Sequence, residues 1–116
     1  LVKTGALDRA AQAGQRWLEM ARAEQDAQQM VWALWELGRI CEQRGDAERA
    51  LECYSEGAEL QPASSAALRA AILFDRLGRS GDALAVVERA LEHAGPGQLR
   101  EDAESLRSRL VRVPLS

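Results

Sequence analysis

A short segment that recurs along this 116-residue chain constrains its fold more than any other feature of the sequence. Residues 45–51 read GDAERAL, residues 78–84 read GRSGDAL, and residues 5–10 read GALDRA. In each copy an alanine follows the first glycine by five residues, and the copies are offset by 40 and then 33 residues. Such self-similarity is typical of repeat proteins, in which stacked copies of one unit share a core. The function is therefore expected on a surface that the stacked repeats share.

The composition favours helix throughout. Alanine, leucine, glutamate, arginine and glutamine dominate, and there are only three prolines. Acidic and basic residues are interspersed, with a net charge of −3, so no concentrated basic face is available for nucleic acid. No apolar stretch approaches the ~20 residues that span a bilayer, and the N-terminus lacks a secretory pattern. We expect a soluble, cytoplasmic protein that binds neither nucleic acid nor membrane.

Apolar residues recur at three- and four-residue spacing, as in Ala47, Ala50 and Tyr54, which indicates amphipathic helices. Glycines at 45, 78 and 95 are expected to end helices in the left-handed conformation, and prolines at 62 and 96 prevent continuation. The predicted helices cover residues 4–24, 27–43, 46–60, 64–77, 81–93 and 98–111.

Several polar residues have the character of helix N-caps. Asp26 with Gln29 resembles a capping box, in which each residue bonds the other's backbone. Further N-caps are expected at Asp46, at Ser64 or Ser65, and at Asp82.

The remaining candidates for chemistry are few. Cys41 and Cys53 fall on apolar helix faces, where reduced cysteine behaves as a small hydrophobe, although one bridge between neighbouring helices stays open. His93 is the only histidine, and no zinc-type spacing surrounds it. No nucleophile, base and orienting group can be assembled from the sequence. We expect no enzyme, no metal and no cofactor.

Small and large residues alternate in a specific order from Val31 to Pro62. The order comprises Leu34, Leu37, Gly38, Cys41, Gly45, Ala50, Tyr54, Gly57 and Pro62. This stretch resembles a tetratricopeptide repeat. Residues 64–96 keep part of the pattern, but Ala67 and Ala70 stand where bulkier residues are usual.

The resemblance implies an all-α, right-handed α-solenoid of antiparallel helix pairs, with about six helices in a single domain over residues 1–116. The first spacing, of 40 residues, resembles the extended variant of the family. We divide the domain into a half repeat at 4–24, repeats at 27–62 and 64–96, and a capping helix at 98–111. Helix 4–24 is either the remainder of a longer array or a terminal cap. Trp17, Leu18 and Met20 favour the former, because a cap should be less apolar.

In this family the first helices of successive repeats line a concave groove that holds a peptide. Carried over to this chain, the groove residues are Trp32, Trp35, Arg39, Glu42, Leu68, Ile72, Asp75 and Arg76, with Arg100, Glu104 and Arg107 from the last helix. Two tryptophans on one face are the strongest functional signal, because tryptophan and arginine dominate binding hot spots. The alternative is that one or both pack near Trp17 on the preceding helix.

The resemblance therefore implies a protein-binding scaffold or adaptor module. The groove offers no lysine and the chain no asparagine, so the family's lysine and asparagine clamp for a terminal carboxylate is not expected. Aromatic and aliphatic groove residues flanked by arginines suit a peptide with apolar anchors and some acidic residues. The alternatives are a homo-oligomerisation module, associating through helix 4–24, and a sensor or regulatory segment of a larger bacterial protein.

Overall fold

The structure is a computed structural model that describes residues 2–111. Over these residues it contains α-helices and no strand. The helices are α1 (Val2–Ala23), α2 (Ala27–Gln43), α3 (Ala47–Leu60), α4 (Ser65–Arg76), α5 (Ser80–His93) and α6 (Gln98–Val111). Every boundary lies within two residues of its predicted position. The all-α prediction is confirmed.

Local hydrogen bonds explain why three of these helices begin where they do. The side chains of Asp26, Asp46 and Ser64 each accept a bond from the backbone N–H three residues later, at 3.1, 3.2 and 3.2 Å. Each bond satisfies one N–H that has no partner within its helix. Of the two serines predicted as N-caps, Ser64 is thus the N-cap of α4.

Two predictions about caps are wrong. Asp82 lies in the first turn of α5 instead of capping it, and its carboxylate accepts a bond from Arg79 Nε at 2.9 Å. The Gln29 side chain does not complete a capping box. Its Oε1 accepts a bond from Trp17 Nε1 at 2.8 Å, which joins α1 to the start of α2.

The helix ends follow the predicted chemistry in two of three places. Gly45 and Gly78 have φ of +80° and +79°, the left-handed conformation that glycine adopts without a steric penalty. Gly95 does not have a positive φ; the positive value in that loop belongs to Gly97, at +143°. Pro96 accounts for the difference, because a proline pushes the residue before it toward extended conformations.

Each helix packs against the next one along the chain, and α4 also packs against both α2 and α6. The core follows the same path through buried leucines, alanines, Tyr54 and Val87. The prediction of antiparallel helix pairs is confirmed. Helices α2, α4 and α6 lie side by side, and we call the surface they share the concave face.

The two cysteines are free, half-buried thiols on α2 and α3. Burial, and to a lesser degree the neighbouring Cys41, raises the pKa of the Cys53 thiol to about 11. At neutral pH this side chain is therefore an uncharged packing group rather than a reactive thiolate.

Candidate functional site

Two tryptophans of α2 lie on the concave face, beside the starts of α4 and α6. The rings of Trp32 and Trp35 meet edge to face, with centroids 6.3 Å apart and planes at 88°. Trp32 is 46% exposed, whereas Trp35 is half-buried and packs against the core around Tyr54. Trp17 Nε1 donates to Gln29, and among residues 2–111 no ring contact joins Trp17 to this pair. Trp32 is thus accessible to a ligand, whereas Trp35 supports the Trp32 ring.

A cavity of about 210 Å³ opens beside the tryptophans. We call it the tryptophan pocket. Its walls come from the first half of α2, the loop between α3 and α4, and the starts of α4 and α6. The lining residues are Gln28, Val31, Trp32, Trp35, Gln61, Ala63, Ser64, Ser65, Ala66 and Leu99. Every one of them is uncharged, so the pocket suits an apolar group.

A second cavity, of about 610 Å³, continues from the pocket between α2, α4 and α6. We call it the central groove. It shares Trp35 and Ser65 with the tryptophan pocket. Its other lining residues are Leu68, Arg69, Ile72, Asp102, Ser105, Leu106 and Arg109. The central groove is therefore lined by both aliphatic and charged side chains, whereas the tryptophan pocket has no charged lining residue.

Glu42, a predicted groove residue, is instead the centre of a half-buried polar network. It accepts a bond from the Tyr54 hydroxyl at 2.5 Å and from Arg69 Nη2 at 3.0 Å, and Arg76 Nη1 lies 3.8 Å away. Burial opposes ionisation of Glu42, but these bonds and the two positive charges outweigh it and lower the pKa of the carboxyl. The Tyr54 pKa is raised, first by burial and then by Glu42. The network ties α2, α3 and α4 together.

The other predicted residues of α2 and α4 divide into two groups. Trp32, Trp35, Leu68 and Ile72 line the two cavities. Arg39, Asp75 and Arg76 do not. Arg39 lies 5.0 Å from the centroid of the Trp35 ring, in cation–π geometry, and 3.5 Å from Glu36. The Arg39 guanidinium therefore packs over the face of the Trp35 ring.

The structure corrects the predicted contribution of α6. Arg100 Nη1 donates to the carbonyls of Leu91 and Ala94 at 3.1 and 2.8 Å, and so closes the end of α5. Glu104 lies 3.8 Å from Arg100. Arg107 pairs with Glu88 of α5, also at 3.8 Å. These residues face α5, because Ala103, Leu106 and Leu110 are buried and fix the rotation of the helix.

Three charged groove residues were missed by sequence reasoning. Arg69 is fixed by Glu42, which lies 27 residues earlier, so no local pattern indicates its place. Asp102 and Arg109 each lie two residues from the nearest predicted positions on α6. An apolar stripe at Ala103, Leu106 and Leu110 was a usable signal, since the groove residues flank it.

Comparison with known families supports the repeat assignment. Residues 31–64, which cover α2 from Val31 onward and all of α3, match the tetratricopeptide repeat family. The predicted family is confirmed, and the chain is a repeat protein that contains a tetratricopeptide repeat. A search of curated proteins finds no match.

The family defines a general role. Tetratricopeptide repeats generally mediate protein–protein interactions, and the family is typically non-catalytic. The chain's implied partners are therefore proteins. Within residues 2–111, no helix has the length and apolar character needed to cross a membrane.

Proposed function

We propose that this chain binds a segment of a partner protein in the tryptophan pocket and central groove, as a scaffold or adaptor module. One observation carries the proposal: exposed Trp32 and half-buried Trp35 line an uncharged cavity that opens into the central groove. A solvent-exposed tryptophan costs free energy unless a partner covers it, and tryptophan is among the residues most enriched in hot spots.

The arrangement suits a peptide anchored by an apolar side chain. An uncharged cavity excludes a charged group, because desolvating a charge without a partner is costly. A cavity of about 150 Å³ holds a benzene molecule, so the pocket, at about 210 Å³, accommodates one leucine, methionine or phenylalanine side chain. Leu68, Ile72 and Leu106 continue the apolar surface along the groove.

Selection from a displayed library of random 16-residue peptides tests the proposal. We expect enriched peptides to bind the parent chain and to lose roughly 2 kcal/mol of binding free energy, about 30-fold in Kd, when Trp32→Ala is introduced. Trp17→Ala is the matched control, because Trp17 is also a partly exposed tryptophan, at 36%, but lies outside both cavities.

Urea denaturation of the variants separates binding from folding. Trp32→Ala should change the free energy of unfolding by less than about 1 kcal/mol, because the side chain is 46% exposed and belongs to none of the core clusters. If no peptide is enriched, or if enriched peptides bind Trp32→Ala and the parent equally, the concave face is not the binding surface.

A second candidate function, self-association through α1, follows from a different observation. Trp17 and Met20 are 36% and 63% exposed on α1, whereas Gly14 of the same helix is buried against Leu37 of α2. We expect a concentration-dependent increase in mass by light scattering that Trp17→Glu abolishes. A constant monomer mass up to high micromolar concentration would contradict this candidate.

A further inference from the structure

We infer that the central groove selects its ligand by the order of three residues. An apolar anchor comes first, a basic residue lies beside it, and an acidic residue follows farther along. The inference rests on the proposed function and specifies its ligand. It follows from which charges in the groove are already neutralised, which are not, and where the latter lie along α6.

Of the three charged residues that line the groove, one is neutralised within the protein. Arg69 Nη2 lies 3.0 Å from both carboxylate oxygens of Glu42. Asp102 accepts a bond from the uncharged Gln98 side chain at 2.8 Å, which leaves its charge in place. Arg109 forms no ion pair with any residue of the described range 2–111. Asp102 and Arg109 therefore set the local field that a ligand meets.

The positions of Asp102 and Arg109 on α6 fix the order in which the two charges occur along the groove. Leu99 lines the tryptophan pocket, Asp102 comes next, and Arg109 lies toward the far end. At 1.5 Å per residue, Asp102 is about 5 Å beyond Leu99, and Arg109 about 10 Å beyond Asp102. Seven residues make almost two helical turns, so both charged side chains project from one side of α6.

A complementary ligand follows from this order. Its apolar side chain fills the tryptophan pocket, its basic side chain lies opposite Asp102, and its acidic side chain lies opposite Arg109. In an extended peptide, about 10 Å corresponds to about three residues between the basic and acidic positions. In a helical peptide it corresponds to about seven. Like charges at either position would repel, which disfavours the reverse order.

The experiment uses the same library of random 16-residue peptides, selected in parallel against the parent chain and the double variant Asp102→Arg/Arg109→Asp. Peptides from the parent should carry the order apolar, basic, acidic, in either chain direction. Peptides from the double variant should carry apolar, acidic, basic. Each set should bind its own target about tenfold more tightly than the other at low salt, with a smaller difference at high salt.

Glu101→Arg/Arg107→Asp is the matched control, because it makes the same charge changes on the same helix at residues that line neither cavity. This variant should select and bind the parent's peptides. Circular dichroism establishes that both double variants keep the helical content of the parent.

Three outcomes are distinguishable. A reversal of charge order in the groove variant alone supports the inference. Peptides that depend on Trp32 but show no charge order, or that ignore the exchange at 102 and 109, overturn the inference and leave the proposed function standing. Failure to enrich any peptide, or peptides indifferent to Trp32→Ala, overturns both.

Discussion

The two helix pairs α2–α3 and α4–α5 fill equivalent core positions with different side chains. An offset of 33 residues aligns them, as it aligns Gly45 with Gly78. In the first pair, the Tyr54 ring lies over Gly38. At the equivalent positions of the second pair, Val87 and Ala71 belong to one buried cluster. Tyr54, Val87 and Ala71 are all fully buried. A large residue with glycine and a smaller residue with alanine thus fill similar space.

The comparison shows that the pattern constrains pairs of positions, rather than single residues. A Cβ on Gly38 would lie 2.7 Å from Tyr54 Cδ1 and Cζ, and closer still to Cε1. Only glycine therefore fits beneath the tyrosine. Ala67 and Ala70, which replace Leu34 and Leu37 of the first pair, are fully buried in the second. The alanines let α4 approach its neighbours closely.

The largest effect is expected from Tyr54→Val, which gives the first pair the side chain of the second. The substitution removes a fully buried ring and the hydroxyl that donates to Glu42. We expect a loss of about 3 kcal/mol in the free energy of unfolding, measured in urea. Val87→Ala, at the equivalent site, should cost less, because fewer atoms leave the core. Equal losses at the two sites would show that the pairs do not differ in packing.

Gly38→Ala tests the reciprocal half of the comparison. Since the tyrosine ring is buried and bonded to Glu42, it cannot move aside freely, and we expect a loss of about 1 to 3 kcal/mol. In the Tyr54→Val background the same substitution should be much milder, because the space above residue 38 is then open. Additive losses in the double-mutant cycle would contradict coupling between the two positions.

The pH dependence of stability should distinguish Glu42 from Asp75, its equivalent in the second pair. The pKa of folded Glu42 is below its ordinary value of 4.5, so the carboxylate stabilises the fold above that pH. This contribution is lost as pH falls through the lowered pKa, when the carboxyl is protonated. We expect Glu42→Gln to cost about 1 kcal/mol at pH 7 and much less at pH 3.

Asp75→Asn is the control for that measurement. Asp75 has no side-chain ion pair among residues 2–111 and lines neither cavity, so its stability curve should follow the parent's. Parallel pH curves for Glu42→Gln and the parent would mean that the network does not stabilise the ionised carboxylate.

The smallest effect is expected on the concave face, where Ser65 of α4 is equivalent to Trp32 of α2. Because Trp32 is 46% exposed, Trp32→Ser should change the free energy of unfolding by less than about 1 kcal/mol. Trp35→Leu, which copies Leu68, should cost more, since Trp35 packs against the core. Thermal unfolding of both variants measures the difference, and a larger loss at Trp32 would contradict it.

The sequence by itself determined the helices, because their signals are local. Asp46 and Ser64 begin helices through bonds three residues away, and Gly45 ends one through its own φ. The apolar spacing also identified the side of α2 that carries Trp32 and Trp35, and the repeat that the family match confirms.

Only the tertiary structure decided which charged residues face the groove. The rotation of α6 depends on how Ala103, Leu106 and Leu110 fit the helices beside them. As a result Asp102 lines the groove, whereas Arg100, two residues earlier, bonds the end of α5. Glu42 and Arg69 meet only after α2 and α4 have packed. Helix periodicity fixes which residues share a face, but the direction of that face depends on contacts between residues far apart in the chain.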